Sequence, residues 1–142
     1  MRIVVPVDGS APSRRALAHA VSIARDQAGT EIILINVQNR DTLDMSEISG
    51  IMSSDFETEA AARQSAAVLR KPTRFCREAA VAFQTRAEFG PVAETIHRVV
   101  RESHADQIVM GTRGLSGLRG ALLGSVATKL IHLSGVPVTL VK

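Results

Sequence analysis

Five short apolar runs separated by helix-like segments constrain this chain more than any other feature of its sequence. The first run, Ile3 to Val7, is continuous and β-branched, as expected for a strand covered on both faces. It stops at Asp8-Gly9-Ser10, where a turn begins, and Pro12 is placed for the first turn of a helix. The spacing predicts that helix over Ser13 to Ala28, with Leu17, Ala20, Val21, Ala24 and Ala28 on one stripe and Gly29 as its C-cap. A second continuous strand is expected from Ile32 to Val37. Residues 38–53 lose all periodicity and read as a mobile loop. An alanine-rich helix follows from Asp55 to Leu69, opened by Asp55, Glu57 and Glu59 where the helix dipole favours negative charge, and ended by Pro72.

The second half continues the alternation. Val81, Phe83, Thr85, Ala87 and Phe89 recur with a period of two, which suits an edge strand with one face less covered. Its lead-in is Cys76-Arg77-Glu78. Gly90-Pro91 turns into a helix carrying Val92, Ile96, Val99 and Val100, and Gln107 to Met110 forms a fourth strand. A helix with Val126, Ala127, Leu130 and Ile131 ends at Gly135, and Val136 to Val141 is the fifth strand. The pattern is one α/β domain without repeats or linkers. Right-handed crossovers make the sheet parallel, and covering both faces is simplest when the chain starts centrally and winds outward in each direction. That gives the order 3-2-1-4-5, with a crevice between strands 1 and 4 where ligands of open α/β sheets sit.

Composition narrows the class. The chain has 142 residues, 45% apolar and 22% charged, the profile of a globular domain with a real core. No stretch is suited to crossing a bilayer, and the start lacks the features of a secretory signal, so a cytoplasmic location without membrane insertion is expected. The one cysteine, Cys76, can form no internal disulfide. The four histidines show no metal spacing, and His19 lies off the apolar stripe of its helix. The net charge is +3, yet the 17 Lys and Arg are spread out and there is no Trp or Tyr. Nucleic acid is therefore not the expected partner, whereas a small anion is.

The two loops at the crevice look unlike plain connectors. After strand 4 the chain reads Gly111-Thr-Arg113-Gly114, then Gly117, Gly120 and Gly124-Ser125. A glycine at a strand end lets backbone approach an anion, and a helix opening at Gly124-Ser125 offers free amides and a favourable dipole. Three or four hydrogen bonds to a charged group, about 1.5–3 kcal/mol each, would hold a polyphosphate. Arg113 and Arg119 are placed to neutralise it. Neither a P-loop nor a dinucleotide fingerprint is present, and no obvious base accompanies the glycines, so efficient hydrolysis is not implied.

The spacing Gly111-x2-Gly114-x9-Gly124-Ser125 resembles the ATP-binding signature of the universal stress protein family. Its context, Ile108-Val109-Met110-Gly111-Thr112-Arg113-Gly114, is similar, as are Val136-Pro137-Val138 and the opening Val4-Val5-Pro6-Val7-Asp8-Gly9-Ser10. The resemblance covers residues 1–142. It implies a Rossmann-like fold of the adenine nucleotide alpha hydrolase kind, with five parallel strands and two helices on each face. It also implies that Pro6, Val7 and Asp8 border adenine and ribose, that Val37 lies against the base, and that Met110, Gly111 and Gly114 line ribose and phosphates. Gly124, Ser125 and Val126 would bind the phosphates of ATP, ADP or AMP, bridged by Mg²⁺. Homodimers through the last strand, Val136 to Val141, are implied too. The leading expectation is an ATP-binding stress-response regulator. The alternatives are a slow ATPase or adenylyl-transfer enzyme, and a nucleotide-independent interaction module that docks through its last strand.

Overall fold

Ile3, Val4 and Val5 are fully buried because they lie at the centre of a sheet. The computed structural model describes residues 1–39, 54–115 and 123–142. Its elements are β1 (Arg2–Pro6), α1 (Ala11–Asp26), β2 (Glu31–Gln38), α2 (Ser54–Glu78), β3 (Ala82–Phe89), α3 (Val92–Glu102), β4 (Gln107–Gly111), α4 (Ser125–Leu133) and β5 (Val138–Val141). Every strand pairing is parallel, in the order β3-β2-β1-β4-β5, as expected from the sequence. One register row, Gln84, Ile33, Val4, Ile108 and Val138, crosses the whole sheet.

Alternation along the strands feeds two cores. Ile3, Val5, Ile32, Leu34 and Val109 pack with Leu17 and Val21 of α1 and with Leu69 and Cys76 of α2. Val4, Ile33, Ile35, Ile108 and Met110 pack on the opposite face with Ile96 and Val99 of α3 and with Leu130 of α4. Two helices therefore cover each face.

Several boundaries differ from the sequence expectation, each for a local reason. Helix α2 does not stop at Pro72 but continues to Glu78. Proline interrupts one backbone hydrogen bond, at about 3 kcal/mol, yet Leu69 before it and Cys76 after it are buried in the same core and hold both halves on the sheet. The segment Cys76-Arg77-Glu78 is thus the last turn of a helix and not a strand lead-in. Helix α1 is capped at Gln27, and Gly29 lies in the following turn at φ 77. Helix α4 ends at Leu133 with Ser134 as its cap, ahead of Gly135, and β5 begins at Val138. Ile131, placed on the apolar stripe by its spacing, is exposed. In β3, Phe83 is half-buried but Thr85, Ala87 and Phe89 are exposed. The expected loop at 38–53 begins with Gln38 still in β2, and 40–53 lies outside the described residues.

Gly111 closes β4 at its point of contact with α1. A Cβ there would lie 2.7 Å from Pro12 Cβ and 2.8 Å from the Pro12 carbonyl carbon. The missing side chain therefore admits α1, a packing role that stands beside the expected one of bringing backbone near an anion. The place of Gly111 in the alternation, on the same face as Val109, is the reason. Gly135 has nothing within 4 Å of its would-be Cβ. Gly111→Ala should lower the urea midpoint by the equivalent of about 1–3 kcal/mol, whereas Gly135→Ala should leave it nearly unchanged.

Burial pushes the Cys76 thiol up from 9.0 to about 11. The folded state therefore tolerates only the neutral thiol, while the unfolded chain ionises above pH 9. The resulting stability is complete below pH 9 and is lost as pH rises toward 11. Urea unfolding of wild type and Cys76→Ala at pH 8, 10 and 11 should show the gap between them narrowing by on the order of 2 kcal/mol.

Candidate functional site

The turn after β1 is built by short-range chemistry. Gly9 adopts φ 85, a conformation that favours glycine. Ser10 then caps α1, its side chain accepting from Ser13 N–H at 3.2 Å. Between β1 and that cap stands Asp8. One carboxylate oxygen accepts from Ser10 N–H at 2.9 Å, and the other accepts from Leu115 N–H at 3.1 Å. Asp8 thus ties the turn after β1 to the turn after β4.

The turn after β4 is closed at its base. Thr112 N–H donates to the Val141 carbonyl at 3.0 Å, and the Thr112 carbonyl accepts from Gly124 N–H at 2.7 Å. Gly114 sits against the aspartate so closely that a Cβ would fall 2.6 Å from Asp8 Oδ2. A Cβ on Gly124 would lie 3.4 Å from Arg113 Cα. Gly124 is extended (φ −73, ψ 160), and among the described residues no side chain caps the helix that follows it. The first turn of α4 also holds no acidic residue, so its dipole is unopposed there.

These turns bound a cavity of about 460 Å³, within the range of small-molecule sites. Eleven residues named from the sequence line it: Pro6, Val7, Asp8, Val37, Met110, Gly111, Arg113, Gly114, Gly124, Ser125 and Val126. Val37, Met110, Val92 and Ile96 give it an apolar wall. Arg113 is exposed at its margin. Arg119 lies outside the described residues.

Backbone polarity at Val37 follows from strand alternation. The Ile35 carbonyl accepts from Val7 N–H at 2.8 Å, toward β1, whereas the Gln38 carbonyl accepts from Gly90 N–H at 2.9 Å, past β3. Val37 shares the parity of Ile35, and the last β1–β2 register pair is Pro6 with Ile35. The Val37 peptide groups therefore point into the crevice beyond the end of the β1–β2 ladder. Behind the site, Lys129 of α4 donates to Glu94 of α3, and that hydrogen bond holds the Glu94 carboxyl below its ordinary range.

Asn36, Gln38, Gln64 and Thr112 also line the cavity and went unread in the sequence. Two polar residues at alternate positions of an otherwise apolar strand, Asn36 and Gln38, were the available signal. His19, His104 and His132 are exposed, and no cluster of metal-binding side chains occurs among the described residues.

A sequence model of the universal stress protein family matches residues 1–142. The universal stress protein MJ0531 of Methanocaldococcus jannaschii is 33% identical, over 99% of this chain and 81% of that protein. The universal stress protein YxiE of Bacillus subtilis is 30% identical, over 99% of this chain and 98% of its own length. Among solved structures, the protein MJ0577 superposes with a TM-score of 0.83 at 23% identity, over 99% of this chain and 94% of that one. A universal stress protein in complex with cAMP gives 0.69 at 24% identity, over 99% and 95%. An Arabidopsis thaliana member with AMP bound gives 0.68 at 18% identity, over 100% and 91%. These structural likenesses establish a shared fold, and with the sequence matches they place the protein: the chain belongs to the universal stress protein family.

Proposed function

We propose that the cavity takes an adenine nucleotide and that the chain acts as a cytoplasmic stress-response regulator, its conformation or partner choice following nucleotide occupancy. The observation that carries this reading is the meeting, in one cavity, of an apolar wall with unused strand-end peptide groups and an uncapped, acid-free helix start. The base would rest on Val37, where backbone N–H and C=O can answer an adenine edge. Pro6, Val7, Asp8 and Met110 would border the ribose. The phosphates would lie against Gly114, Gly124, Ser125 and Val126, with Arg113 at the margin supplying positive charge. Related structures with cAMP and AMP support an adenine ligand.

A Mg²⁺ ion would ride on the phosphates. Asp8 is the one carboxylate among the described lining residues, and each of its oxygens already accepts a backbone N–H. For the same reason no free general base stands in the described lining, which favours binding over the slow-ATPase alternative. The edge strand β5, half-buried along its length, is the surface through which residues 1–142, acting as one domain, would form a homodimer. Sedimentation equilibrium should return twice the chain mass; a monomer at micromolar concentration would refute the dimer.

The sharpest test of the nucleotide site is Ser125→Asp. This exposed position opens α4, so a carboxylate there should leave the melting temperature unchanged or raise it. Phosphate repulsion should nevertheless weaken ATP binding by calorimetry at least about tenfold, while adenosine is affected far less. Wild-type protein that binds neither ATP, ADP nor AMP, and releases no nucleotide on denaturation, would end the proposal.

A further inference from the structure

Val7 is held on β2 one residue beyond the last ladder pair. Its N–H donates to the Ile35 carbonyl at 2.8 Å, and its carbonyl accepts from Asn36 Nδ2 at 2.7 Å. A side chain thus extends the grip of the sheet past Pro6 and Ile35. Asn36 is 2% exposed, and its orientation is determined by its neighbours. Gln38 Nε2 and Ser65 Oγ both donate to Asn36 Oδ1, each at 2.8 Å, which leaves the amide nitrogen to face Val7.

The residue after Val7 is Asp8, whose oxygens hold Ser10 N–H and Leu115 N–H. A continuous path of short contacts therefore runs from α2 through β2 and the end of β1 to the glycine turn. Its members from Ser65 to Val7 are buried, so water cannot substitute freely for a lost partner. An apolar residue at position 36 would leave the Val7 carbonyl without this donor and free the turn that aims Asp8.

We propose that Asn36 is a positioning residue for the ligand site: it fixes the Val7 carbonyl, and so sets the Asp8 carboxylate that pins the Gly114–Leu115 turn. It touches the cavity wall, but it acts through Val7 and Asp8. The proposal rests on the nucleotide reading for its ligand, whereas its local geometry can be tested without one. It also assigns Ser65, on a different helix, a smaller share in the same alignment.

The experiment compares wild type, Asn36→Val, Ser65→Ala and Ile33→Val, the last a core truncation that spares the polar path. NMR would follow the amide proton shift and exchange rate of Leu115 against the amide of Ile108, and calorimetry would follow ATP. Asn36→Val should move the Leu115 amide upfield, speed its exchange at least about tenfold relative to Ile108, and weaken ATP about tenfold or more. Ser65→Ala should shift both readouts in the same direction by about two- to threefold, and it carries the test if Asn36→Val fails to fold. Ile33→Val should move neither. Leu115 exchange that rises no more than that of Ile108, or a released Leu115 with unchanged ATP affinity, would overturn the proposal. If the wild type binds no ATP, the nucleotide reading falls and the Leu115 signal alone decides the role of Asn36.

Discussion

The Asp8 carboxylate joins two turns that belong to opposite halves of the sheet. The chain leaves β1 and winds toward β3, then crosses back and winds from β4 toward β5, so the loops after β1 and β4 diverge. Divergence opens a crevice but leaves two independent loops at its mouth. By accepting from both Ser10 and Leu115, Asp8 makes them one wall. A charged acceptor on backbone donors is among the stronger hydrogen bonds available to a protein, and here it substitutes for the ladder that the strands no longer supply.

That constraint explains why so much else near the cavity concerns chain meeting chain. Thr112 is bonded to β5 through its N–H and to Gly124 through its carbonyl, so the excursion after β4 starts and finishes at one place. The start of α4 is therefore fixed by backbone contacts rather than by a cap. Its first turn keeps its amides available, since among the described residues neither a capping side chain nor an acidic residue occupies them. On the far side of β4, α1 approaches closely enough that Pro12 fills the space a side chain at Gly111 would need.

Local patterns made the strand order and the two crevice loops legible, whereas the family resemblance named the individual lining residues. Continuous β-branched runs at Ile3–Val7 and Ile32–Val37 marked strands buried on both faces, and alternation of strands with helices left few topologies for a parallel sheet. Features that depend on tertiary packing were not legible. Pro72 reads as a stop in any local grammar, yet Leu69 and Cys76 anchor the helix on both sides of it. Period-two alternation marked β3 correctly as an edge, but helical cover reaches Val81 and Phe83 and not Thr85 or Phe89. The role of Asn36 was not legible within its strand because its partners, Val7 and Ser65, are each 29 residues away in sequence.

The glycine spacing that first drew attention to the site has a meaning apart from any ligand. Gly111 yields to Pro12, Gly114 to Asp8, and Gly124 approaches Arg113 and Thr112. Each glycine thus has a neighbour in the chain itself, and at Gly111, pressed against the Pro12 ring and backbone, the missing side chain serves packing even if nothing is bound. It follows that glycine spacing by itself speaks to architecture. The argument for an anionic ligand must come from what the architecture leaves unspent: the unopposed dipole of α4 and the Val37 peptide groups past the end of the ladder. A chain that kept the three glycines but placed an aspartate in the first turn of α4 would preserve the fold and lose the reason to bind phosphate.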